Sequence, residues 1–486
     1  MRDPKIFFLT LLILAVLSGC SLGPSFKKPA MPPGKAYSSG VSKSEPIFVS
    51  GTKIPEEWWS LFQSKALDEL IRKAIANSPT LVAAQASLRQ AQEDYRANVG
   101  ANYFPQADAN LSAARQKTNQ SAMGQDKSQG VLFRLYQATV NVSYTFDLWG
   151  GARREMESLK AKVDYANFQK EAAYLTLTSN VVAAAGKEVA LRGEIEASKE
   201  ILAAEEDQLA ILEKQLSLGG ASRFDVLSQR TLVDQTRASL PGMEKELALT
   251  RHQLAVLVGL PPGEEATLPQ FYMPDIILPK ELPIILPSAL IEQRPDIKAS
   301  LALLRAASAD VGVATAALLP QITLSGSYGS SENHFEKLFR TNDAIWNFGT
   351  GVVQPLFHGG ELMAKRRKAQ AAYEGALAGY QQTVLLAFQN VADVLGAIES
   401  DAVTMQARVE AQASAAQALS LAQKQFQVGA LSHLALLTAQ RQESAARIDL
   451  VQAYAIRFAD TASLFQALGG GWLDHGDSNK TGKLNS

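Results

Sequence analysis

Tyr136-Gln137-Ala138-Thr139-Val140-Asn141-Val142-Ser143-Tyr144-Thr145-Phe146 alternates without interruption between apolar and polar residues. Successive side chains of a strand point to opposite faces, so this run sets Tyr136, Ala138, Val140, Val142, Tyr144 and Phe146 against Gln137, Thr139, Asn141, Ser143 and Thr145. The period returns in the second half of the chain, with Ile322, Leu324, Gly326 and Tyr328 against Gln321, Thr323, Ser325 and Ser327. Weaker alternation runs from Ala107 to Ala113 and from Phe348 to Phe357. Each half therefore offers two strands joined by a polar loop, Gln116 to Gly130 and Ser330 to Asp343. Two structures carry such a pattern: an antiparallel sheet over a soluble core, or part of a membrane barrel with one face to lipid and a polar face to a lumen. Four strands cannot close a barrel alone, because single-chain barrels begin at about eight, and lipid does not tolerate an open edge. A membrane barrel would have to be shared between subunits.

Outward from these strands the period changes from two to seven. Leu67, Ala74, Leu81, Leu88 and Tyr95 recur every seventh residue, with a break expected at Asn77-Ser78-Pro79. Ile195, Leu202, Leu209 and Leu216 repeat the spacing in a helix that follows Gly150-Gly151, and Val226, Val233, Leu240, Leu247 and Leu254 carry it back after Gly219-Gly220 and a capping Ser222. A helix from Arg153 to Leu218 would be about 100 Å long, a length that with sustained heptads means coiled coil. Pro241-Gly242 predicts a kink in the return arm. The later rows are Leu377, Val384, Val391, Ile398 and Met405, and then Ile448, Val451, Ala455, Phe458, Ala462 and Phe465, spaced in threes and fours as a knobs-into-holes seam.

These features occur twice. Asn77-Ser78-Pro79 answers Gln293-Arg294-Pro295, Pro105-Gln106 answers Pro320-Gln321, Gly150-Gly151 answers Gly359-Gly360, and Gly219-x-x-Ser222 answers Gly429-x-x-Ser432. An internal duplication is the economical reading. It divides the chain into a first repeat at 55–260, a Pro-rich linker at 261–287, a second repeat at 288–471 and a polar tail at 472–486. The fold class expected is mainly α with a small β part, built as duplicated halves of two strands and a long helix hairpin.

The N-terminus reads as a signal peptide over residues 1–19. Arg2 and Lys5 precede an apolar run from Ile6 to Leu17, which is too short for a spanning helix. It ends at Leu17-Ser18-Gly19-Cys20, and Cys20 is the single cysteine of the chain, so no internal disulfide forms. A chance thiol is the plain reading. The sharper one is a lipobox, with cleavage before Cys20 and acylation of it, each buried CH₂ of the acyl chains contributing about 0.8 kcal/mol. Residues 20–54 then form a lipidated, extended arm, and no later segment is expected to span a membrane as a helix. The net charge of −1 gives no electrostatic footprint for nucleic acid. His252, His334, His358, His433 and His475 are scattered without metal-ligand spacing, no phosphate loop or nucleophile motif is present, and no enzyme constellation can be assembled.

Several ordered motifs make a family resemblance specific: Trp58-Trp59-x-x-Phe62, Phe146-Asp147-Leu148-Trp149-Gly150-Gly151, Gln354-Pro355-Leu356-Phe357-His358-Gly359-Gly360, Val428-Gly429 with Leu434 to Arg441, and Ala467-Leu468-Gly469-Gly470-Gly471-Trp472. In order and spacing the chain resembles the TolC/OprM-like outer-membrane efflux factors, in their lipoprotein branch; Ser21 after Cys20, in place of an Asp resembling an inner-membrane retention signal, agrees with the outer membrane. The resemblance implies a homotrimer whose protomers give four strands each to a twelve-stranded barrel on an α-helical tunnel. It implies a passive channel in outer-membrane lipid, extending into the periplasm, that works with a periplasmic adaptor and an inner-membrane RND pump. It implies adaptor contact at the tip turns, through Gly219, Ser222, Gly429 and Ser432, and a constriction at Leu434, Thr438 and Arg441. Thr438 stands where relatives often carry Asp, which weakens an ion-pair lock there; Asp225, with Arg230, is a substitute partner. The runners-up are the duct of a type I secretion system and a structural coiled-coil envelope lipoprotein. Cargo is not written in such a sequence, because a wide duct takes its specificity from its pump.

Overall fold

A computed structural model describes residues 23–30, 47–50, 54–118, 131–284, 290–291, 293–340 and 344–470. Cys20, the signal segment, most of the 20–54 arm and the 472–486 tail lie outside the described residues. The elements in chain order are β1 (Ile47–Ser50), α1 (Lys65–Asn77), α2 (Pro79–Tyr103), β2 (Gln106–Thr118), β3 (Val131–Phe146), α3 (Gly151–Ser217), α4 (Arg223–Leu257), β4 (Glu281–Ile284), α5 (Pro295–Ala316), β5 (Gln321–Glu332), β6 (Ala344–Val353), α6 (Glu361–Gln427) and α7 (His433–Ala467). The duplication is visible in the lengths: α3 and α6 have 67 residues each, and α4 and α7 have 35 each. Helix breaks fall where the prolines require them, since α2 opens on Pro79 and α5 on Pro295. Pro241 lies inside α4, which continues through it to Leu257 without a break.

The chain forms two compact units, and both draw on both repeats. The first (1–30, 86–167, 299–381) holds an antiparallel sheet of order β2-β3-β5-β6. β6 begins and ends earlier than the alternation from Phe348 to Phe357 suggested, because Pro355 has no N–H for a ladder and Gln354 precedes it. β5 likewise runs to Glu332, into the segment expected as loop. Strand joins helix at Asp147, whose carboxylate accepts from the backbone N–H groups of Ala152 and Arg153 at 3.1 and 3.0 Å and from Arg153 Nε at 3.1 Å. Trp149 Nε1 donates to the Pro320 carbonyl at 2.7 Å, tying the joint of one repeat to the other. Gly150, at φ 77°, supplies the left-handed turn between them. Helix α5 corrects the expectation of no spanning segment: it is long and apolar enough to cross a membrane, but the fold uses it as interior packing, with Ala302, Leu304, Ala306, Ala309 and Val311 buried. Along the arm, Gly23 lies against Gly312 so closely that a Cβ on it would sit 2.7 Å from the Gly312 Cα, and the Arg305 guanidinium covers the Phe26 ring at 5.4 Å.

The second unit (31–85, 168–298, 382–486) is organised by an aromatic knot. Trp58, Trp59 and Phe62 are fully buried on a 3₁₀ turn; Trp58 stacks on Phe465 at 5.2 Å, and Phe62 meets Phe458 at 4.7 Å. Phe458 in turn lies on the bare backbone of Gly186, where a Cβ would approach its ring to 2.1 Å. The heptad seams are buried as expected at Ile195, Val226, Val233, Leu240 and Leu254 and at Val384, Val391 and Ile398. Exposed ion pairs such as Lys187–Glu246 (3.3 Å), Lys199–Glu244 (3.2 Å) and Arg237–Glu206 (2.6 Å) rung the first hairpin; each adds little energy. The Pro-rich segment is not slack. Leu268, Phe271, Ile276 and Leu282 are buried, and β4 pairs in parallel with β1.

Arg251 holds that segment. Its guanidinium donates to the fully buried Glu188 carboxylate at 2.7 Å and to the carbonyls of Glu265 (2.5 Å), Pro269 (3.3 Å) and Leu268 (3.4 Å). Arg251→Ala leaves a buried carboxylate with only Arg192 against it, and is expected to destabilise the protein by about 3–5 kcal/mol. Denaturant unfolding in detergent checks this, and Glu188→Gln in the Arg251→Ala background should recover part of the loss.

Candidate functional site

Three regions carry the residues singled out in the sequence. The first is the sheet. Its register aligns Ala109, Val140, Tyr328 and Trp346 across the four strands, and one step along aligns Asp108, Asn141, Ser327 and Asn347. One face thus presents Leu111, Val140, Val142, Phe146, Tyr328, Trp346, Phe348 and Val352, all exposed. The other presents Thr139, Asn141, Ser143 and Thr145 beside Thr323, Ser325 and Ser327, with the Thr145 and Thr323 hydroxyls 3.1 Å apart. Trp346 is 75% exposed and Phe348 69%. A soluble protein would not leave a sheet face this apolar in water. Both β2 and β6 end the sheet, and among the described residues no strand pairs with their outer edges.

The second region comprises the two tip turns, and their geometry is the same. Gly219 and Gly429 take φ 77° and 73°; Gly220 N–H donates to Gln215 O at 2.8 Å and Ala430 N–H to Gln425 O at 2.9 Å, the long bond of a Schellman cap. Ser222 and Ser432 then open the return helices, each accepting through its hydroxyl from the N–H three residues on. With backbone groups consumed internally, the tips expose apolar side chains: Leu218 and Val428 are 78% and 79% exposed, and Phe224 is 71%. Phe224 was missed in the sequence, where a single Phe after a cap has no periodicity to mark it.

The third region is the start of α7. Leu434 is exposed at 63%, and Arg441, one heptad on, is also exposed. Thr438 does not turn toward Arg441; its hydroxyl donates to the Leu434 carbonyl at 2.8 Å. Asp225 is engaged by its own turn. It completes a capping box with Ser222, accepting from that residue's N–H at 3.2 Å and hydroxyl at 2.7 Å, while Arg230 pairs with Glu213 at 2.6 Å. The carboxylate that feels Arg441 is Glu205 on α3: burial raises its pKa, a hydrogen bond with Thr236 and the Arg441 charge oppose the rise, and Oε2 has no partner. Glu205 was invisible beforehand because only the packing of α3 brings it near α7.

His433 was also underread. It is 8% exposed, neither ring nitrogen has a partner, and its ring lies 5.9 Å from Phe426 beside the small core of Ala422, Leu436 and Ala439. Burial lowers its pKa, with the Asp225 charge opposing. Among the described residues no group of three or more His, Cys, Asp or Glu is placed to hold a metal ion.

The family model for outer membrane efflux proteins matches residues 70–260 and again 286–470. The pyoverdine export outer membrane protein OpmQ of Pseudomonas aeruginosa is 33% identical over 423 residues, covering 86% of this chain and 87% of that protein. The cation efflux system protein CusC of Escherichia coli K12 is 27% identical over 461 residues, 94% of this chain and 98% of its own. Among solved structures, the outer-membrane channel OprN superposes with a TM-score of 0.86 at 27% identity, over 93% of this chain and all of that one. Both matches of the family model take in a pair of strands, a 67-residue helix, a Schellman tip and its capped return, and on that extent the chain belongs to the outer membrane efflux protein family.

Proposed function

We propose that three copies of this outer membrane efflux protein, each lipidated at Cys20, close one barrel and act as a passive exit duct for small molecules delivered by an inner-membrane RND-type pump through a periplasmic adaptor. The protein is a conduit and not an enzyme. The observation that carries this reading is the four-stranded sheet, apolar and exposed on one face, polar on the other, and open at β2 and β6. In hydrocarbon each unpaired backbone group costs several kcal/mol, so β2 of one copy pairs with β6 of the next until the ring closes. Exposed apolar residues along α6, such as Leu385, Leu386, Val403 and Leu421, supply further surface for neighbouring copies. The tips meet the adaptor through Leu218, Phe224 and Val428, around Gly219, Ser222, Gly429 and Ser432. Leu434, with Arg441, faces the lumen and narrows it; with Thr438 back-bonded to its own helix, the closure rests on apolar contact, and Glu205 replaces Asp225 as the first carboxylate to test against Arg441.

Facing is testable by charge. Val140→Arg should block assembly, since Arg at mid-depth on a lipid face costs about 2–4 kcal/mol, whereas Asn141→Arg should assemble and alter conductance only. Heat-modifiable migration and single-channel recording read the two, and equal tolerance at both positions would falsify the membrane-facing assignment. For the anchor, Cys20→Ser should abolish incorporation of labelled palmitate; incorporation equal to wild type refutes lipidation there. At the constriction, Leu434→Ala should raise resting conductance, while added salt should open the wild-type pore only slightly. A large salt response would mean a charged lock and would be pursued with Glu205→Gln; an unchanged Leu434→Ala pore places the narrowest level elsewhere.

A further inference from the structure

The register pairs Arg115 of β2 directly with Arg134 of β3, two residues beyond the Ala113–Tyr136 pair and on the same, apolar face of the sheet. Lys117 follows on that face, opposite Leu132. All three cations are exposed, and among the described residues none has a carboxylate within ion-pair distance. Glu332, across from Tyr136, is the nearest acid by register on this face. Like charges set directly opposite on a sheet oppose strand pairing, so a ladder that keeps two arginines face to face needs an anion to offset them.

Depth identifies the anion. On β3 the outward apolar row runs from Phe146 to Tyr136, a span of about 34 Å along a strand at ~3.4 Å per residue step. With a barrel tilt of roughly 35–45° that row rises about 25 Å, the height of a lipid-facing apolar band. Arg115 and Arg134 form the next outward row, at the end of the strands remote from the joints with α2 and α3. This is headgroup depth in the outer leaflet, where long basic side chains keep their stems in the apolar layer and their charge in the polar one. Paired guanidinium forks match the oxygens of phosphate, and match them better than ammonium does.

We propose that Arg115 and Arg134, with Lys117, form a site on the lipid-facing wall of the sheet for the phosphate groups of an outer-leaflet glycolipid. The site rests on the membrane-facing reading above and adds to it a specific boundary lipid that fixes the barrel's height and offsets the arginine pair. The test is native mass spectrometry of the full-length, assembled protein offered bisphosphorylated lipid A, the same lipid without phosphates, or inorganic phosphate. Wild type should retain the phosphorylated lipid selectively. The triple variant Arg115→Gln, Arg134→Gln, Lys117→Gln should bind it at least about tenfold more weakly, and Arg115→Lys with Arg134→Lys should fall between. A control with the same charge change on exposed helical positions, Lys73→Gln, Lys245→Gln and Lys424→Gln, should bind as wild type. Equal retention of the dephosphorylated lipid, full displacement by equimolar inorganic phosphate, or an equal loss in the control would each overturn the proposal. Conductance of the same preparations reads the channel separately: conducting protein without lipid selectivity removes the site and leaves the duct standing.

Discussion

An unpaired strand edge in hydrocarbon is the constraint on which the rest of this protein depends. The sheet of each chain has two edges, β2 and β6, and an exposed apolar face that only lipid suits. Among the described residues no further strand pairs with those edges, and further copies of the same edges are the solution that fits. Once the sheet is shared around an axis, the polar face becomes a wall around water, and every strand must hand the chain to a helix at a fixed place on the ring. The strand-to-helix joint is accordingly held by several hydrogen bonds. Asp147 satisfies the first N–H groups of α3 while Trp149 binds the carbonyl that precedes β5, so the two repeats are locked together where strand becomes helix.

Duplication makes the ring workable. Two hairpins of equal length, 67 residues out and 35 back, give each chain two tips made in the same way. The two are not chemically equal, however. The first is capped by Ser222 with Asp225 as its reciprocal partner; the second has Ala435 at that place and a buried His433 behind its cap. Divergence after duplication has thus fallen on side chains at the tips while the backbone turn, fixed by a positive-φ glycine, stayed constant.

Much of this was legible in the sequence because it is periodic. Period two in Tyr136 to Phe146 gave the facing of β3, period seven gave the seams, and Pro79 and Pro295 gave the helix starts. Legibility failed where the deciding contact is non-local or where two uses share one pattern. Helix α5 has the composition of a membrane span, and only packing distinguishes a core helix from one in lipid. Asp225 read as a substitute partner for the constriction, yet the backbone N–H and hydroxyl of the capping Ser222 engage it first. Glu205 could not be found at all, since its relation to Arg441 exists only once α3 and α7 lie together.

In the proposed constriction, an apolar closure in place of a charged one has an energetic logic of its own. Three arginines brought together around an axis repel unless each finds an acceptor, and Thr438 spends its only proton on its own helix. A buried carboxylate such as Glu205, whose pKa burial raises against the pull of the Arg441 charge, is a poor permanent partner for that arginine. Under the proposed constriction, closure therefore rests on the apolar Leu434, with Glu205 as the secondary partner of Arg441.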